Sequence, residues 1–208
     1  MPCPAERKQK NMKKVLRFIV IAAITLGMAT GCEKNGPEKN VFLETEVGIT
    51  FSMTYEDFFA SFNSRVESVS KVGEVDCQDP WRPLSTIVYN YPAAEGAIAS
   101  TLLVHVYSTT KNVYSLEHDL WLDLSDETER QQWVERIRAL ILSIDLDMDE
   151  MGCEKLMEEL GVFDCSDLED GYLKSNFLHG IRYTLRYDLY AQKDGGRRVE
   201  FSCATYRN

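Results

Sequence analysis

Six cysteines, three histidines and a dense set of carboxylates are the side chains that could do chemistry in this 208-residue sequence. His105, His118 and His179 could serve as bases, but His118 and His179 fall on apolar strand faces, where imidazoles are more often packed than catalytic. A nucleophile would need one of them within reach and an acid behind it. No Gly-x-Ser-x-Gly turn occurs, no Ser-x-x-Lys opens a helix, and no glycine-rich phosphate loop is present. Asp145-Leu146-Asp147-Met148-Asp149-Glu150 begins like a calcium loop. That pattern requires Gly at its sixth position and Glu at its twelfth, where this chain has Glu150 and Leu156. The run is instead an acidic helix start favoured by the helix dipole. No catalytic residue, metal site or cofactor is assigned.

Beyond Cys32, four further cysteines, Cys77, Cys153, Cys165 and Cys203, are an even set that could form disulfides in an exported protein. Their spacing fits neither a zinc knuckle nor a redox Cys-x-x-Cys. Arg182, Tyr183, Arg186, Tyr187 and Tyr190 make a strand rich in the residue types that favour recognition surfaces. On an alternating strand, Tyr183 and Tyr187 turn to the core. Arg182, Arg186 and Tyr190 then form the face where a partner is expected.

Met12-Lys13-Lys14-Val15-Leu16-Arg17 is a basic start, followed by an uncharged stretch from Phe18 to Ala29 and then Thr30-Gly31-Cys32. A basic segment, a short apolar run and small residues before a cut describe a secretory signal. The uncharged run is shorter than the roughly 20 apolar residues of a membrane-spanning helix. Met28-Ala29-Thr30-Gly31-Cys32 resembles the lipobox of bacterial lipoprotein precursors, with Ala29 where Leu is commoner. The resemblance covers residues 12 to 32. It implies cleavage after Gly31 and acylation of Cys32, with palmitate a fitting chain. It also implies a bacterial cell-envelope address, the outer membrane favoured, with the protein held to the membrane through that lipid. Residues 1–11, Cys3 among them, lie upstream of the better-formed start at Met12. Glu33 to Asn40 contains Gly36-Pro37 and no apolar residue, so residues 32–40 are a lipidated tether. Eight extended residues reach at most about 28 Å, which keeps the body near the membrane.

Charge narrows the choice of partners. Six of the 23 basic residues and one of the 33 acidic residues precede Cys32, leaving 17 bases against 32 acids and a formal charge of −15. A body that acidic repels phosphate backbones, so no nucleic acid is expected as a partner. Together these features describe a lipid-anchored, non-enzymatic envelope protein that binds or scaffolds another envelope component. The alternatives are an envelope-anchored hydrolase and a periplasmic inhibitor-like protein.

The elements that would position these residues read from periodicity. Residues 41–53 alternate as one strand, and Thr54 with Asp57 caps a helix carrying Phe58, Phe62, Val66 and Val69 and ending near Gly73. Residues 73–85 read as a loop. Strands follow around Ile87–Tyr91, Leu102–Tyr107 and Tyr114–Leu124. Helices then start near Ser125 and Asp147, the first burying Trp133, Ile137, Leu140, Ile141 and Ile144, the second stopping at Gly161. A strand from Phe177 to Tyr190, with His179 on its apolar face, turns at Asp194-Gly195-Gly196 into a last strand through Cys203. The expected fold is α+β for residues 41–208, divisible into two small subdomains near residue 145. An antiparallel sheet carries helices packed on one face, in the order β-α-β-β-β-α-α-β-β. In element order alone this is similar to folds like the β-lactamase inhibitory protein.

Overall fold

The computed structural model describes residues 39–66, 69–77, 83–91, 100–122, 126–164, 168–188 and 197–206, apart from the side chains of 121, 122 and 197. The strands are β1 (Phe42–Thr45), β2 (Gly48–Phe51), β3 (Ser70–Asp76), β4 (Leu84–Asn90), β5 (Thr101–Tyr107), β6 (Val113–Leu122), β7 (Tyr172–Leu178), β8 (Ile181–Asp188) and β9 (Arg197–Thr205). The helices are α1 (Tyr55–Asn63), α2 (Glu127–Ile144) and α3 (Glu150–Leu160). Among the described residues, β1 and β2 form a hairpin, and seven strands join one antiparallel sheet in the order β3-β4-β5-β6-β9-β8-β7.

The mixed α+β architecture expected from the sequence is present, with more strands and a different order. Three corrections have local causes. The single strand over 41–53 is a hairpin, because the chain turns at Glu46-Val47 and Phe42 comes to face Phe51. The first helix stops at Asn63 rather than near Gly73. The Ser64 hydroxyl turns back onto the Ser61 carbonyl at 2.6 Å, and the segment after it becomes β3 by pairing with β4. Residues 73–76, expected in a loop, therefore belong to an edge strand. The strand expected from Phe177 through His179 is two strands. His179 and Gly180, at φ 51° and 79°, make a two-residue turn between Leu178 and its partner Ile181. Left-handed backbone at both central positions matches the twist of the flanking strands. The ring of Phe42 lies over this turn, 2.8 Å from where a Gly180 Cβ would stand, so any side chain there would have to push the ring aside on an already left-handed backbone.

The helix stripes hold as read. Asp126 accepts from the Thr128 and Glu129 amides at 2.8 and 3.1 Å to start α2. Asp149, not Asp147, caps α3 by accepting from the Gly152 amide at 2.7 Å. Gly161 ends α3 at φ 85°. Trp133, Ile137, Leu140, Ile141 and Ile144 of α2 and Cys153, Leu156, Met157 and Leu160 of α3 are buried. They pack in one core with Ile87, Leu102, Val104, Leu116, Leu120, Ile181, Leu185, Val199 and Phe201 from one face of the sheet. Each such large side chain contributes roughly 1.5–3 kcal/mol relative to exposure. Strands from both sides of position 145 share the sheet through the β6–β9 pair, where His118 faces Phe201.

One polar column is built into this core. Arg136 of α2 lies 4.0 Å over the Tyr91 ring, and Tyr91 stacks on His118 with centroids 5.0 Å apart. Neither ring nitrogen of His118 has a hydrogen-bond partner, and the residue is fully buried. Burial first, and Arg136 second, push the His118 pKa down to about 3, so the imidazole is neutral in the fold. The unfolded chain takes up a proton near pH 6.5. Between those values it holds the proton the fold refuses, so this contribution to stability is complete above pH 6.5 and is lost as pH falls towards 3. His118→Phe keeps the ring stack and removes the titration. The variant is expected to gain on the parent chain by about 2 kcal/mol more at pH 5 than at pH 7, measured by urea unfolding.

Candidate functional site

Two polar assemblies stand out: a buried cluster at the end of α2 and an ordered charged array on the side of the sheet away from the helices. The first centres on Asp145, whose side chain is fully buried. As α2 ends there in extended backbone, at φ −103° and ψ 96°, the carboxylate turns inward. Its Oδ1 accepts from the Asn40 side-chain amide at 2.6 Å and the Asp147 amide at 3.1 Å. Its Oδ2 accepts from the Tyr183 hydroxyl at 2.6 Å and His179 Nδ1 at 2.9 Å. A carboxylate oxygen only accepts, so Nδ1 of His179 carries its proton. Asn40 completes the loop: its Oδ1 accepts from the Leu146 amide at 2.8 Å and its backbone amide donates to Asp147 at 3.2 Å.

An acid orienting an imidazole is half of a catalytic arrangement. Among the described residues no hydroxyl or thiol is hydrogen-bonded to the other nitrogen of His179. The nearby thiols are suppressed. Burial pushes Cys153 up to about 12, and it pushes Cys203 well above the ordinary thiol value with Asp145 adding to the effect. Burial likewise raises Tyr183, with Cys203 and Asp145 contributing. Neutral buried thiols are inert. Cys77, Cys153 and Cys203, three of the four cysteines offered as disulfide partners, are free thiols in this structure, Cys77 exposed and the other two buried. Cys165 lies outside the described residues.

The second assembly is carried by the alternate residues of β5, β6, β9 and β8. Arg198 binds Asp119 in two places, Nε to Oδ1 at 2.6 Å and Nη2 to Oδ2 at 2.9 Å. The same guanidinium is 3.5 Å from Glu200 and 3.9 Å from Glu117. One cation thus holds three carboxylates that would otherwise repel across neighbouring strands. His105, 3.8 Å away, and then Arg198 hold the Glu117 carboxyl below its ordinary value. Glu200 is raised, first by burial and then by Glu117, which outweigh the pull of Arg198. Arg186, in register with Glu200, pairs with Asp188 at 2.8 Å. Arg182 is exposed two positions along the same face and has no ion pair among the described residues. A depression of about 300 Å³ lies beside Arg182, lined by Tyr114, Glu117, Arg182, Glu200, Ser202 and Tyr206.

Arg182 and Arg186 therefore lie together on the open face, with Tyr183 and Tyr187 turned to the core as their alternation requires. Tyr190, Gly31 and Cys32 lie outside the described residues. The open-face acids Glu117, Asp119 and Glu200 were legible only as outward strand positions; their convergence on Arg198 depends on the β6–β9 register. Asp145 reads as one carboxylate in an acidic run, and nothing in that run marks it as the buried one. Among the described residues no group of three or more His, Cys, Asp or Glu is placed to hold a metal ion, and no helix is long and apolar enough to cross a membrane. No family model matches the chain, and neither does any curated protein or solved structure.

The two assemblies should respond differently to mutation. Asp145→Ala leaves the Tyr183 hydroxyl, the Asn40 amide and His179 without their acceptor, and should cost about 3 kcal/mol or more in urea unfolding. Arg182→Ala touches an exposed cation and should stay within about 0.5 kcal/mol of the parent.

Proposed function

We propose that this chain is a bacterial lipoprotein of the cell envelope. Acyl chains on Cys32 hold it to a membrane, and its α+β body binds another envelope component through the open face of the sheet. The observation that carries the anchor is the run from Lys13 to Cys32, a basic start, an apolar stretch and a lipobox-like Met-Ala-Thr-Gly-Cys. The position of Asn40 supports it. Asn40, eight residues beyond Cys32, is clipped to the turn at 145–147. A lipid on Cys32 would hold the body within about 28 Å of the bilayer.

The binding reading is supported by the open face itself. Its charges are fixed in place by Arg198, which lowers the entropy lost when a partner docks. Arg182 offers an exposed cation on an otherwise acidic body, suited to an acidic group on the partner. The strong net negative charge argues against nucleic acid as that partner.

Two results are expected. In cells fed labelled palmitate, the native chain takes up label and partitions into detergent, whereas Cys32→Ala does neither. In a cross-linked pull-down from intact cells, Arg182→Ala/Arg186→Ala loses a species that the native chain captures. An unlabelled native chain would refute the anchor, and an unchanged capture pattern would refute the open face as the binding surface.

A further inference from the structure

The two edges of the seven-stranded sheet are not alike. The β3 edge exposes Val72 and Val75 but sets them among Lys71, Glu74 and Asp76 and has a register break between Lys71 and Gly73. Charges and a bulge are the usual protection of a free edge. The β7 edge, Tyr172 to Leu178, pairs with β8 in unbroken register and holds no acid, no proline and a single charge, Lys174. Two of its large apolar side chains are exposed, Leu173 at 66% and Phe177, which packs on one side against the Tyr206 ring at 4.4 Å, at 50%.

The direction of each backbone group on β7 follows from the neighbouring strands. Tyr206 N–H donates to the Gly180 carbonyl at 2.8 Å, so Gly180 and Arg182 direct their backbone groups to β9. Ile181, Tyr183 and Leu185 then direct theirs to β7, where their partners are Leu178, Asn176 and Lys174, and the Tyr187 carbonyl accepts from the Gly171 amide just before β7. Leu173, Ser175 and Phe177 are left with N–H and C=O pointing away from the sheet, and no strand among the described residues meets them.

We infer that β7 pairs antiparallel with β7 of a second copy of this chain about a twofold axis through Ser175. In that register Ser175 faces its own copy, and Leu173 faces Phe177 on both sides of the axis. These are the three residues with outward backbone groups, so every pair exchanges both of its hydrogen bonds. The two exposed apolar side chains cover each other on the open face. On the helix face Lys174 meets Asn176 of the other copy. Asn176 donates to Glu159 of its own α3, so Lys174 gains an acidic neighbour across the axis. Lys174 has no ion pair among the described residues of its own copy. A symmetric interface needs one patch complementary to itself, and β7 is such a patch.

The pairing is tested on the full chain in a Cys77→Ser background, with a short thiol-specific cross-linker and yields counted against the same chain without an added cysteine. Ser175→Cys is expected to give a covalent dimer, since facing Cα atoms are about 5.5 Å apart, and Glu74→Cys on the β3 edge is not. Adding Lys174→Glu to Ser175→Cys should cut the yield about tenfold, and Glu159→Lys on the same chain should restore it. Circular dichroism of each variant must match the parent, as is expected for changes at side chains facing solvent. A dimer yield at Ser175 no higher than at Glu74, or one indifferent to the Lys174 and Glu159 exchange, would overturn the pairing.

Discussion

The Asp145 carboxylate is the interaction on which the rest of the arrangement depends. Burying a carboxylate is costly unless each of its oxygens is satisfied, and here each takes two donors. The donors come from distant parts of the chain: Asn40 before β1, Asp147 in the α2–α3 turn, His179 in the β7–β8 turn and Tyr183 within β8. One side chain thereby ties Asn40 to the α2–α3 turn and to the β7–β8 hairpin. Phe42 over Gly180 adds an apolar contact at the same corner.

The two faces of the sheet divide the work. Beneath the helices, His118 is buried and neutral against Tyr91, with Arg136 over the Tyr91 ring, and Cys153 and Cys203 are packed thiols. On the open side the charges are numerous and accessible, those around Arg198 paired with one another and Arg182 exposed beside them. A surface whose side chains are already held by Arg198 can present a defined pattern to a partner. Pairing through β7 would place two such surfaces side by side in one continuous sheet, which suits a binding role better than a single enclosed pocket would.

Much of the helical part was legible in the sequence because its signals are local. Asp126 and Gly161 sit at helix ends for reasons of capping, and the stripe of Trp133, Ile137 and Leu140 needs only a 3.6-residue period, whereas the cap of α3 was read at Asp147 and is Asp149. The strand part was harder. Phe177 to Tyr187 reads as one alternating strand, but the two-residue turn at His179-Gly180 reverses the chain and shifts the alternation by one, so Phe177, read on the face of Ile181, lies on the opposite, open face. The β3 edge is mostly polar and exposed, and only its hydrogen bonds to β4 make it a strand. The open-face arginines were readable from period two alone. The Asp145 cluster was not, because its donors lie 105, 34 and 38 residues away. Only the finished fold brings them together.

The central role of Asp145 predicts a specific pattern of amide hydrogen exchange. The Leu146 amide sits in a short turn, yet it donates to the side chain of Asn40, which is itself held by Asp145. If the cluster fastens the start of the body to the end of α2, this amide exchanges only with global unfolding, as slowly as those of Ile141 and Ile144 in the last turn of α2. Exchange of the Leu146 amide as fast as that of the exposed turn residues Thr109 and Thr110 would contradict it.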